Sequence, residues 1–162
     1  MRLKVLVLLL LLVAFPSLFV ARLVQPWTYQ EMFDKADLVV IAAWISTKDA
    51  NEHSTLDLEP PTKVIGVTSE FETRLVLKGP NGIKEFQLHH YRFENEEDAR
   101  RPNRPALVII RPPVRDKDGF EYPGGGTFVL FLTKEPDGRY APVTGQTDPA
   151  AFSVLKLLAG AQ

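Results

Sequence analysis

Apolar and polar positions along this chain follow two different regimes. Val5 to Phe15 is an unbroken run of 11 apolar residues, whereas beyond Trp27 apolar residues recur with a period of two or in short blocks between polar turns. From Val67 to Lys78 the alternation is strict. Val67, Ser69, Phe71, Thr73, Leu75 and Leu77 fall on one face and Thr68, Glu70, Glu72, Arg74, Val76 and Lys78 on the other, which predicts a long half-buried strand. Gly79-Pro80-Asn81-Gly82 then turns the chain into a partner strand, where Phe86, Leu88 and His90 alternate with Glu85, Gln87, His89 and Tyr91.

Leu38 to Ile45 is nearly continuous in apolar residues and predicts a central strand buried on both faces. Phe128 to Thr133 is a second such strand, returned by Glu135-Pro136-Asp137-Gly138 into Tyr140 to Thr144. Ala106 to Ile110 reads as a short strand stopped by Pro112 and Pro113. Three polar or proline-rich stretches read as surface loops: Ser46 to Thr62, Glu94 to Pro105, and Arg115 to Gly126 with its three terminal glycines.

Two helices frame these strands. Thr28 and Glu31 have the spacing of a capping box for a helix over Tyr29 to Ala36, with Trp27 placed to staple onto Met32. At the other end Asp148 is placed to cap, Pro149 suits the first helical position, Phe152, Leu155, Leu158 and Ala159 form a stripe, and Gly160 terminates. Five or six strands with two hairpins and short flanking helices predict a mainly β domain, closed or partly closed as a small antiparallel barrel, with a β-sandwich as the alternative.

The apolar run at the start is a targeting segment by its pattern. Arg2 and Lys4 precede it, its 11 residues match a signal-peptide hydrophobic region, and Pro16 and Ser17 break it. Residues 1–21 are therefore expected to be a signal peptide or an N-terminal membrane anchor, and residues 22–162 a single domain. Cleavage after Ala21 would put bulky Phe19 where a small residue is preferred, so an anchor extended over residues 5–24 stands as the alternative. Either way the domain is exported, to a periplasmic or extracellular space.

Composition narrows the chemistry. The chain has no cysteine, which excludes a disulfide scaffold, thiolate metal sites and a cysteine nucleophile, and suits a bacterial envelope better than a disulfide-rich secretome. Loss of Arg2 and Lys4 with the leader leaves 17 basic against 20 acidic residues, a net charge of −3, so neither nucleic acid nor a membrane surface is an evident partner.

The order of a helix, Ala36-Asp37-Leu38-Val39-Val40, Phe71 to Gly79, Phe128 to Leu132 and Gly138-Arg139-Tyr140 resembles the netrin-module and metalloproteinase-inhibitor-like OB-fold group, in particular its small exported bacterial members. The resemblance spans most of residues 28–145 and implies an OB-like barrel of five or six strands. In the animal inhibitors an N-terminal cysteine and disulfides carry function and stability, and neither is present here.

The candidate chemistry is sparse. Adjacent His89 and His90 point to opposite faces of a strand and cannot share a metal without a bulge. His90, with Phe86 and Leu88, reads as a packed core histidine, and His89 as a surface residue. Glu70 and Glu72 lie about 7 Å apart on one strand face, a separation within range of paired catalytic carboxylates, but Arg74 and Lys78 on that face mark it as solvated. No serine stands in a nucleophile elbow, and Gly124 to Gly126 precedes a strand, not a phosphate-binding helix. The leading expectation is a non-enzymatic exported domain that binds a protein or cell-envelope component through its loops, with Tyr122, Tyr91, Trp27 and His89 as candidate binding residues and no metal or cofactor. Two alternatives are a protease-inhibitor-like module acting through Arg22 to Trp27, and a hydrolase pairing His90 or His89 with Glu70 or Glu72.

Overall fold

The computed structural model describes residues 27–56, 61–100, 106–110, 114–115, 121–122, 125–146 and 152–157. Helix α1 (Tyr29–Lys35) is followed by β1 (Leu38–Leu56), β2 (Thr62–Lys78) and β3 (Glu85–Phe93), then α2 (Glu96–Arg100). After these come β4 (Val114–Arg115), β5 (Glu121–Tyr122), β6 (Thr127–Lys134), β7 (Tyr140–Pro142) and β8 (Val154–Leu157). The domain is mainly β. One six-stranded sheet has the order β1-β2-β3-β7-β6-β8, and β1 also pairs with β6, so five of its strands link into a ring. All pairings are antiparallel except the β3–β7 contact, where Leu88 meets Tyr140 in parallel. Strands β4 and β5 form a separate two-stranded ribbon.

The ring encloses the main core. Leu38, Val40 and Ala42 of β1 face Phe71, Phe86, Leu88, Phe128, Leu130, Leu132 and Tyr140. The Phe71 ring stacks on Phe86 at 5.5 Å and meets Phe128 edge-on at 5.7 Å, the geometries that aromatic quadrupoles favour. Alternate residues of β1 and β6 bury against α1: Val39 and Phe131 pack with Met32 and Ala36 of the helix and with Trp27. The expectation that Leu38 to Ile45 is buried on both faces therefore holds for Leu38 to Ala42, with the ring inside and the helix outside, while Ile45 is exposed. The capping box forms as its spacing predicts, Thr28 Oγ1 accepting from the Glu31 amide while the Glu31 carboxylate accepts from the Thr28 amide. A third cluster, Val64, Phe93 and Leu107, closes one end.

Four expectations are corrected. Residues 46–56 of the expected Ser46 to Thr62 loop are strand, because β1 continues to Leu56 and cross-strand pairing organises residues whose own composition favours turns; β2 begins at Thr62, and residues 57–60 lie outside the described residues. Ala106 to Ile110 forms only an isolated bridge at Leu107, yet Leu107, Val108 and Ile110 are buried. A five-residue helix, α2, interrupts the Glu94 to Pro105 loop. The C-terminal helix is instead β8, with Leu155 paired to Val129 and Val154 to Leu130. A helix of about ten residues is marginal on its own, whereas a strand there hydrogen-bonds the otherwise open edge of β6. The predicted cap at Asp148 and Pro149 and the predicted end at Leu158, Ala159 and Gly160 lie outside the described residues.

Strict alternation in β2 also fails, with one residue skipped at Arg74 and another at Leu77. Ile41 pairs with Leu75 and Ala42 with Thr73, so Arg74 is an extra residue, a β-bulge. The bulge reverses the phase, so that Val76 packs on the core while Leu75 is 52% exposed. Phe71→Ala is therefore expected to destabilise the fold by about 3–5 kcal/mol, and Leu75→Ala by less than about 1 kcal/mol, as read from urea unfolding midpoints. Equal losses would show that both residues belong to one core face.

Candidate functional site

The two histidines of β3 end in unlike places, though both are buried. His90 behaves as its apolar neighbours suggest. Its Nδ1 lies 3.0 Å from the Val108 carbonyl and its Nε2 2.9 Å from Ser69 Oγ. A carbonyl only accepts, so Nδ1 carries the proton and Nε2 accepts from Ser69. Ser69 Oγ in turn accepts from Thr47 Oγ1 at 2.7 Å, and Thr47 Oγ1 accepts from the Trp44 indole at 2.8 Å. The result is a directed chain of four hydrogen bonds across β1, β2, β3 and the 106–110 segment. Burial first, opposed by the bond to Val108, lowers the His90 pKa to about 4.

The sequence pattern places His89 on the surface, and the structure corrects this: its side chain is 4% exposed and lies between two carboxylates. Its Nδ1 is 2.9 Å from Glu135 Oε2, and its Nε2 is 3.4 Å from Glu52 Oε2 but too poorly aligned for a hydrogen bond. Tyr91 stands edge-on to the imidazole at 5.0 Å and donates to Glu52 Oε1 at 2.8 Å. Burial and then the bond to Glu52 push the phenol up to about 12. Arg139 completes the group, 3.6 Å from Glu52 and 2.7 Å from Asp137.

Local geometry explains how residues so distant in sequence meet. Asp49 pairs with Val67 but His53 with Ile65, so Ala50, Asn51 and Glu52 bulge opposite Gly66 alone. A bulge re-aims side chains, and here Glu52 folds back over β2. A Cβ at Gly66 would come within 3.1 Å of Glu52 Cβ, so glycine leaves the seat that Glu52 occupies. Glu135, Asp137 and Arg139 come from the β6–β7 turn, closed by Glu135 N to Arg139 O at 2.8 Å.

By the period of two, His89 and Tyr91 share the outer face of β3 with Glu85 and Gln87, alongside Thr68, Glu70 and Glu72 of β2. At the other end of this face lies a shallow open groove of about 320 Å³ lined by Ile45, Glu70, Glu85, Phe86 and Gln87. Glu70 is held by Ser46 at 2.9 Å and Lys48 at 3.3 Å, and these bonds, Ser46 first, lower its pKa. Glu72 pairs with Arg74 at 3.0 Å. The carboxylates that reach His89 are thus Glu52 and Glu135, while Glu70 and Glu72 are engaged elsewhere.

Of the candidate binding residues, the structure unites His89 and Tyr91. Trp27 lies apart, packed beside α1 under Lys35 Nζ at 4.0 Å. Tyr122 belongs to β5, opposite Val114. Glu52 and Glu135 escaped sequence reasoning because one sat in an apparent loop and the other in a turn. The available signal was Gly66, a lone glycine directly before the alternating run from Val67, which marks a bulge or a close approach where it falls within a strand. Among the described residues no group of three or more acidic or histidine side chains is placed to hold a metal ion. No family model matches the chain, and no curated protein matches it.

Two outcomes follow from this geometry. The folded chain resists protonating His90 until about pH 4, whereas the unfolded chain takes that proton near 6.5, so unfolding binds a proton and stability falls as pH drops from about 6.5 to about 4. Urea midpoints across that range, with ring resonances of His90 followed by NMR, measure this; a His90 midpoint near 6.5 would contradict it. Gly66→Ala should displace Glu52 and lower the Tyr91 titration from about 12 towards 10, read by NMR of the phenol ring.

Proposed function

We propose that this protein is an exported, non-enzymatic binding domain with an OB-like barrel, and that the outer face of β1, β2 and β3 receives a segment of a partner protein or cell-envelope component bearing cationic and apolar groups. The strand order supports the barrel. Numbered in chain order, the five ring strands run 1-2-3-5-4 and back to 1, a Greek-key closure with a single parallel contact between the third and the fifth.

The groove carries the functional reading. Its lining is mostly polar, with Glu70, Glu85 and Gln87 around the exposed Ile45. Glu72, paired with Arg74, lies directly opposite Glu85 across the β2–β3 ladder, so an approaching cation that meets Glu85 would also ease the like charges facing one another there. The groove is about half open, which fits a chain segment laid across a sheet better than a fully enclosed small substrate. His89 supports the same reading, because its Nδ1 is bound to Glu135 and its Nε2 lies beneath Glu52. A hydrolase built on His89 would have to draw on Glu135, and substrate would have to displace Glu52 first. Trp27, the one described residue of the segment that an inhibitor-like edge would use, packs against α1.

Titration of the domain with a peptide alternating lysine and leucine tests the proposal. Binding should weaken as salt rises, and Glu70→Gln with Glu85→Gln should lower affinity about 2- to 30-fold, the worth of two exposed ion pairs. Unchanged affinity in that double variant would refute the assignment of this face.

A further inference from the structure

We propose that residues 5–24 remain on the chain as a membrane anchor and that α1 with β8 forms a lipid-facing collar seated in the headgroup region of the bilayer. Four of the eight large hydrophobic side chains that stand exposed among the described residues lie on this one side: Tyr29, Phe33, Phe152 and Leu157, at 37–55% exposure. Tyr29 lies 5.9 Å from Phe152 and 6.1 Å from Phe131, so the aromatic rings are contiguous and rest on the second core. Leu155 pairs with Val129, which packs beneath α1, and alternation sets Leu157 on that same outer face.

The position of this patch in the chain names its occupant. Only Gln25 and Pro26 separate residue 24 from Trp27. Three residues span at most about 10 Å, and the headgroup layer outside the hydrocarbon is about 5–8 Å deep on each side. An anchor over residues 5–24 therefore holds Trp27 and α1 at the membrane interface. The residues found there are those that favour that layer: Trp27 and Tyr29, whose rings carry an apolar body and a polar atom, and lysines with long apolar stems. Lys35 Nζ lies over the Trp27 ring, and Lys78 Nζ lies 5.5 Å from the Phe33 ring while donating to the Phe33 and Asp34 carbonyls.

Charge selects the mode of contact. The two lysines are balanced by Glu31, tied into the capping box, and Asp34, bonded to Gln30. Around α1 these charges cancel and β8 adds only Lys156, so contact rests mainly on apolar area; it should form on zwitterionic lipid, which carries no net charge, and resist salt.

The absence of cysteine makes the test direct. The full-length chain carrying single Phe33→Cys, labelled with a polarity-sensitive fluorophore, is reconstituted into phosphatidylcholine vesicles; Glu85→Cys on β3 is the distant control. The expected result is a blue shift at 33, none at 85, and no change on raising salt. Leu157→Cys, on a different element, repeats the measurement should Phe33→Cys fail to fold by circular dichroism. No shift at either collar position, an equal shift at 85, or a shift that grows with the protein-to-lipid ratio, as a second copy covering the patch would produce, overturns the proposal. So does N-terminal sequencing of the native protein that begins beyond residue 24.

Discussion

Burying a histidine inside a β-ring requires both ring nitrogens to find partners, and the way His90 does so ties the structure together. Its two bonds, continued through Ser69 and Thr47 to the Trp44 indole, connect three neighbouring strands and the 106–110 segment. Each hydroxyl both donates and accepts, and the indole and carbonyl at the ends permit one direction only. Such a chain holds register. A slip of one residue in β2 would carry Ser69 to the outer face and leave an unpaired imidazole in the core. The segment held at Val108 in turn delivers Val108 and Ile110 to the main core without belonging to the sheet.

The outer surface is divided by the same strands into two unlike regions. Where β1 and β6 lie side by side, alternate residues are apolar and α1 covers them, with Lys78 bonding the carbonyls near its C-terminal end. Where β1, β2 and β3 lie side by side, the outer residues are mostly charged or polar and pair with one another. Two of the four register shifts between β1 and β2 bear on packing and the site: the one at Arg74 returns Val76 to the core, and the one at Ala50 to Glu52 swings a carboxylate over Gly66 towards His89. A further glycine serves packing, since a Cβ at Gly125 would collide with the Trp44 ring and Trp44 N donates to the Gly126 carbonyl. The long β1–β2 ribbon is thus pinned at both ends, by Gly125 and Gly126 near Trp44 and by the Glu52, Tyr91 and His89 group further on.

Local signals in the chain were enough for the capping box at Thr28 and Glu31, the turn at Gly79 to Gly82, the turn at Glu135 to Gly138, and the burial of Leu38 to Ala42 and of His90, because each depends on residues within a few positions of one another. The lack of cysteine likewise excluded thiolate chemistry outright. Tertiary structure alone decided the rest. Residues 46–56 became a strand because β2 supplied a pairing edge, residues 154–157 became a strand because β6 left one open, and Leu75 turned outward because a single extra residue at Arg74 reversed the phase. The group around His89 draws on residues 52, 89, 91, 135 and 139, brought together by ring closure and a bulge. Periodicity reports which face a residue occupies; which strand lies across from it is set by hydrogen bonding between segments far apart in the chain, and that information is absent from any local window.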